Sequence, residues 1–189
     1  MRTALPPKEN DVSQRMWCIA TMVAIIFSVG GVIAARANDA APVDGLAAEL
    51  EFLRPLLGPP RVGSYVDSAP GELEMTVQWD VAHSGHVVRF TKSVPEADFT
   101  SETLYYWDMV DERVVFVSVC SRGIMSRGEV REEYGSVVLT GTESWADQDI
   151  EFRLTFTALP GGAVRDVYER FEGERFVPGH VIEYRPHPR

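Results

Sequence analysis

Residues 150–158 read Ile-Glu-Phe-Arg-Leu-Thr-Phe-Thr-Ala, the clearest structural pattern in this chain of 189 residues. Apolar residues occupy every second position, which is the period of a β-strand that buries one face. Pro160-Gly161-Gly162 follows as a turn, and Val164–Phe171 then predicts a second strand. The stretch therefore predicts a β-hairpin with one apolar face. The residues expected in the core are Phe152, Leu154 and Phe156.

The same period recurs between turn signals along most of the chain, and no helix long enough for a βαβ crossover separates the segments. We therefore expect an antiparallel meander. A flat open sheet would expose two long edges, so we predict an all-β, up-and-down barrel or half-barrel of about 8–10 strands. The predicted strands are Leu73–Val81, Val87–Val94, Thr103–Trp107, Val114–Cys120, Gly123–Glu132, Val137–Thr142, Ile150–Ala158, Val164–Phe171 and Val181–Arg185.

One helix is predicted before the strands, over Val43–Leu57, with Asp44 as its N-cap. Its leucines recur at helical spacing and form one apolar face. Gly58-Pro59-Pro60 ends the helix. We expect this helix to cover one end of the barrel.

The first 37 residues predict an export signal, which leaves residues 38–189 for the barrel domain. A polar segment with Lys8 and Arg15 precedes Met16–Ala35, which carries no charge, and Ala35-Arg36-Ala37 follows as a small-x-small site. This order is typical of a signal peptide cleaved after Ala37, and it predicts a periplasmic or secreted protein. The alternative is an uncleaved anchor helix, because 20 apolar residues can span a bilayer. Membrane contact is then expected through this segment alone.

The net charge of −10 argues against binding to nucleic acid or to anionic lipid through the domain surface. Lysine is rare, with Lys8 and Lys92 as the two examples. The two cysteines are Cys18, inside the signal, and Cys120, at the end of an apolar run. We expect Cys120 to be buried and unreactive.

No motif predicts a catalytic residue, a metal site or a cofactor, and we leave open whether the chain is an enzyme. There is no Gly-x-Ser-x-Gly nucleophile motif. His83 and His86 flank a Ser-Gly turn, but a zinc site would need a third ligand, for which His180 or Asp80 is the available residue. His83 shares its strand parity with Trp79, so we expect it to be a hydrogen-bonded histidine at the mouth of the barrel.

Aromatic residues on different strands indicate a ligand site, since one parity of a closed barrel lines a common interior. The alternative is that these side chains fill the barrel completely. Arg89 would either face inward and bind a ligand carboxylate or face outward into solvent. The predicted ligand-binding residues are Trp79, His83, Arg89 and Tyr106.

Four short stretches resemble the calycin (lipocalin-like) barrels, in particular small exported bacterial domains of that shape. The resemblance implies a cup for an apolar ligand and implies no reaction. The stretches are Leu50–Gly58 (LEFLRPLLG), Val87–Thr91 (VVRFT), Glu102–Asp108 (ETLYYWD) and Pro178–Tyr184 (PGHVIEY).

Three hypotheses of function follow. The first is an exported β-barrel that binds a small apolar or amphipathic ligand without catalysis. The second is a hydrolase-like or metal-dependent enzyme that uses the barrel mouth around His83. The third is a structural or envelope-interaction domain with a filled core.

Overall fold

The computed structural model describes residues 45–66, 73–146 and 148–187. In these residues ten antiparallel strands form a closed up-and-down barrel, in which the first and last strands also pair with each other. The predicted fold class is confirmed. The export signal and Asp44 lie outside the described residues. The strands are β1 (Arg61–Tyr65), β2 (Met75–Ala82), β3 (Val87–Val94), β4 (Phe99–Asp108), β5 (Arg113–Cys120), β6 (Met125–Glu133), β7 (Ser136–Trp145), β8 (Gln148–Ala158), β9 (Val164–Glu172) and β10 (Arg175–Pro186).

The strand missing from the sequence-based prediction is β1. Its inward positions are Arg61, Gly63 and Tyr65, so it has no apolar alternation to reveal it. It becomes a strand because it pairs with β10 on one side and with β2 on the other. These pairings satisfy its backbone groups and close the ring.

The helix is shorter than predicted and is a 3₁₀ helix over Ala48–Leu56. Ala47 has an extended backbone, and its N–H donates to the carbonyl of Gly85 at 3.0 Å, so the chain before Ala48 is tied to the β2–β3 turn. A 3₁₀ helix has three residues per turn and aligns side chains three apart. Leu50, Leu53 and Leu56 have this spacing, and all three are buried.

The two ends of the barrel differ. We call the end with the turns His83–Gly85 and Pro160–Gly162 the closed end, because the leucines of the helix pack there into the core. The opposite end, with the turn Pro95–Ala97 and the loop 121–124, is the open end. The expectation that the helix covers one end is thus confirmed. No helix in the described ranges is long and apolar enough to cross a membrane.

The core prediction for β8 is confirmed. Phe152 and Phe156 are buried, and Leu154 is half-buried and packs against the core. The Phe152 ring on β8 lies 6.0 Å from the Phe116 ring on β5. Between these two strands, Gly128 of β6 and Gly141 of β7 are paired with each other. A Cβ atom on Gly128 would lie 2.0 Å from the carbonyl oxygen of Thr140, so β6 and β7 approach each other closely only because both residues lack side chains.

Candidate functional site

The barrel contains a cavity of about 590 Å³. Toward the closed end its lining reaches Phe156 and Tyr184, and toward the open end it reaches Phe99, Cys120 and Trp145. The Trp145 side chain is 58% exposed, which is consistent with a mouth at this end. The volume lies within the range of small-molecule binding pockets, roughly 300–1,000 Å³.

The cavity has an apolar side and a polar side. The apolar side is β8, whose inward residues are Ile150, Phe152, Leu154 and Phe156. The polar side includes Lys92 of β3, Thr103 of β4 and Ser118 of β5, and the Thr103 hydroxyl donates to Ser118 Oγ at 2.9 Å. In the ring of ten strands β3 and β8 lie opposite each other. The interior is therefore amphipathic.

A group of ionisable side chains lies within the cavity, and we call it the polar centre. Its Tyr184 hydroxyl donates to Asp166 Oδ2 at 3.0 Å, whereas the buried Asp166 Oδ1 has no hydrogen-bond partner among the described residues. Lys92 interacts electrostatically with Asp166, but it forms no hydrogen bond or ion pair with any described residue. The members of the polar centre are Lys92, Tyr105, Asp166, His180 and Tyr184.

Burial shifts the pKa values of this centre toward the neutral forms. Desolvation lowers the pKa of Lys92, against the opposing effect of the Asp166 charge. Desolvation raises the pKa of Asp166 to about 6, although Lys92 and the Tyr184 hydrogen bond act in the opposite direction. The pKa of His180 falls to about 4, chiefly by burial and then by the Lys92 charge. Near neutral pH, Asp166 can exchange a proton while His180 remains neutral.

The Asp166→Asn variant should become more stable relative to the wild type as the pH rises. The carboxyl pKa of about 6 exceeds its ordinary 3.8, so the folded state binds this proton more tightly, and wild-type stability is lost as the pH rises from about 4 to 6. Asparagine has no such titration. Between pH 4 and pH 8 we expect the difference in unfolding free energy to move by about 2.5 kcal/mol in favour of the variant.

Urea unfolding at several pH values measures this difference. Lys92 and His180 are present in both proteins, so the two proteins differ only in the Asp166 carboxyl. Glu151→Gln, at an exposed carboxylate of β8, is the matched control and should follow the wild type. If Asp166→Asn and the wild type change in parallel with pH, the Asp166 carboxyl is not desolvated as described.

The predicted site residue Trp79 faces inward but lies behind the cavity wall. Its side chain is buried and packs against three residues that do line the cavity, with ring-centroid distances of 4.5 Å to Phe90, 5.4 Å to Phe156 and 5.9 Å to Tyr184. The parity prediction for Trp79 is thus correct. The side chain supports the walls of the cavity from the β2 side.

The expected position of His83 at an apolar rim is wrong. β2 ends at Ala82, and the backbone of His83 has a φ of 48°, so the alternation of the strand does not continue to its side chain. His83 is exposed in the turn at the closed end, away from the mouth. No group of three His, Cys, Asp or Glu side chains within the described part of the chain is arranged to hold a metal ion.

The other two predicted site residues face outward. Arg89 forms an ion pair with Asp80 at 2.6 Å on the outer face of the β2–β3 pair, which is the outward alternative weighed from the sequence. Tyr106 is 38% exposed and lies in a separate outer groove with Arg113 and Glu129. Neither residue contributes to the lining of the cavity.

Sequence reasoning missed Lys92 and Asp166 as site residues. The alternation of their strands indicates that both side chains face inward. Lys92 has the same parity as Val88 and Phe90, and Asp166 has the same parity as Val164. His180 was named only as a metal ligand, but its ring stacks on Tyr168 at 4.9 Å inside the barrel. A charged residue at an inward position of a strand is the sequence feature that indicates a site of this kind.

Cys120 is less buried than predicted. It is the last residue of β5, so it lies near the open end, where its side chain is half-buried and lines the cavity as a free thiol. The expectation of full burial failed because the apolar run ends at the rim of the barrel. Its low reactivity stays a prediction.

In comparisons with known proteins, no family model matches the chain. A search of curated proteins finds no match either. The closed antiparallel barrel of the described residues is compatible with a calycin-like fold.

Proposed function

We propose that this chain is an exported, lipocalin-like barrel that binds a small amphipathic ligand in its cavity. The observation that supports this function is the cavity of about 590 Å³, in which apolar residues of β8 lie opposite Lys92 of β3 and the other members of the polar centre also line the wall. Lys92 and Asp166 Oδ1 lack hydrogen-bond partners in the described chain. Buried polar groups are normally hydrogen-bonded, and the polar end of a ligand would supply the missing partners. The export signal at residues 1–37 is part of the proposal on sequence grounds.

The geometry favours this function over the two alternatives. The enzyme hypothesis placed His83 at the mouth of the barrel, but His83 lies at the closed end. The filled-core hypothesis required the aromatic side chains to occupy the interior. Trp79, Phe90 and Phe156 pack together near the closed end and leave the cavity beyond them.

A bound amphipath should shield Cys120 from alkylation. We would measure the rate at which excess N-ethylmaleimide labels Cys120 in the folded protein, by peptide mapping over a time course long enough to follow a slow reaction, with decanol or dodecanoate added. At about ten times the Kd, the rate should fall roughly tenfold, because only the unoccupied fraction exposes the thiol. Free glutathione added to the same sample serves as the reference thiol.

A variant that fills the cavity provides the matched control. Ser118→Trp places an indole among the lining residues, and it should abolish the protection by decanol while the barrel remains folded. Unchanged labelling of Cys120 with every amphipath, and a native mass spectrum of protein from its own host with no bound molecule, would contradict the proposed function.

A further inference from the structure

The distribution of lysine along the chain is unusual. Of the 18 lysine and arginine residues, only Lys8 and Lys92 are lysines. Lys92 is the one lysine of the described ranges, and its side chain lines the cavity instead of the outer surface. The barrel therefore holds a single primary amine in its interior.

This amine differs from an ordinary surface lysine in two respects. It forms no ion pair or hydrogen bond with any described residue, so its nitrogen is free to meet a ligand. Asp166 interacts with it across the cavity and has one carboxyl oxygen without a partner. An unpaired amine and a carboxyl group that interacts with it thus belong to the lining of the same cavity.

We propose that Lys92 is a nucleophile that captures the aldehyde or ketone group of an apolar ligand as a reversible imine. The inference rests on the proposed ligand-binding function and specifies the reacting group of the ligand. Asp166 is proposed to exchange the protons that this addition and its reversal require.

The reaction balances without an oxidant or a reductant. The neutral amine nitrogen attacks the carbonyl carbon, a C–N bond forms, and the C=O π electrons move to oxygen. A proton passes from nitrogen to this oxygen and gives a carbinolamine. The C–O bond then breaks with a proton supplied by the Asp166 carboxyl, water leaves, and the C=N bond forms as an iminium. The iminium nitrogen gives its proton to the Asp166 carboxylate, which yields the neutral imine and restores the carboxyl. Addition of water reverses each step and releases the ligand unchanged.

The surroundings favour a carbonyl group over a carboxylate. Desolvation lowers the pKa of Lys92, which increases the neutral, nucleophilic fraction of the amine. Asp166, when ionised, would repel an anionic ligand, whereas a neutral carbonyl meets no such repulsion. With a pKa of about 6, the Asp166 carboxyl can both give and accept a proton near neutrality.

The test is reductive trapping in the full chain. The protein is incubated with decanal and sodium cyanoborohydride at neutral pH, digested with trypsin and analysed by mass spectrometry. Alkylated Lys92 resists trypsin, so residues 90–113 should appear as one modified peptide. Because desolvation lowers the pKa of Lys92, a larger fraction of its amine is neutral, and we expect Lys92 to be modified severalfold faster than Nα-acetyl-lysine added to the same sample.

Two variants complete the design. Lys92→Arg keeps a cation but should lose the decyl adduct at position 92. Asp166→Asn should slow the modification of Lys92 severalfold, because the carboxyl that supplies the proton for loss of water is absent.

The outcomes separate this inference from the proposed function. If decanal protects Cys120 but Lys92 is modified no faster than Nα-acetyl-lysine in the same sample, the inference fails and ligand binding stands. If decanoate binds in a Lys92-dependent manner and decanal gives no adduct, the site recognises anions and the inference is overturned. If neither decanal nor decanol protects Cys120, the proposed function fails, and the inference fails with it.

Discussion

Replacing Arg61 with alanine is expected to lower the free energy of unfolding by about 3–5 kcal/mol. The Arg61 side chain is buried, and its guanidinium donates to the carbonyl of Leu56 at 2.7 Å and to that of Gly162 at 2.8 Å. It also lies 5.5 Å from the Trp79 ring. Arg61 thereby ties the end of the helix and the β8–β9 turn to the first strand, and its loss leaves two carbonyls without this donor.

Urea unfolding followed by circular dichroism measures this change. Arg165→Ala is the matched control, because Arg165 is exposed on β9 and lies 3.8 Å from Glu183, so its loss should cost about 1 kcal/mol or less. If the two variants unfold at the same urea concentration, Arg61 does not hold the closed end together.

Replacing Phe156 with alanine should also cost about 3–5 kcal/mol, because it removes a large buried side chain and leaves a cavity. The Phe156 ring is almost fully buried and packs 5.4 Å from Trp79 and 6.0 Å from Phe90. This packing separates the cavity from the closed end. The variant should therefore be less stable and also have a larger interior.

Arg153→Ala tests the register of the same strand. Arg153 faces outward, where it binds Glu169 at 2.7 Å and lies 4.7 Å from the Phe176 ring, so its loss should cost about 1 kcal/mol or less. Equal denaturant midpoints for Phe156→Ala and Arg153→Ala would mean that the inward and outward faces of β8 are misassigned.

The sequence by itself determined the class of fold and most of its strands. Alternation in segments such as 150–158 is a local property, because successive side chains of a strand face opposite ways whatever the strand pairs with. The same rule placed Phe152, Phe156 and Trp79 inside. Closure into a barrel followed from the need to pair every strand edge.

Only the tertiary structure decided which end of the barrel is open. β1 lacks an apolar pattern and forms a strand because it pairs with β10 and β2. The helix closes the end of the barrel at which its leucines pack into the core. The side chain of His83 does not follow the alternation of β2, because His83 lies in a turn and has a positive φ. Lys92 and Asp166 come from β3 and β9, far apart in the sequence, and meet across the interior because the ring closes. Periodicity acts between neighbours along the chain, whereas a binding site depends on the distances between strands that the closed sheet brings together.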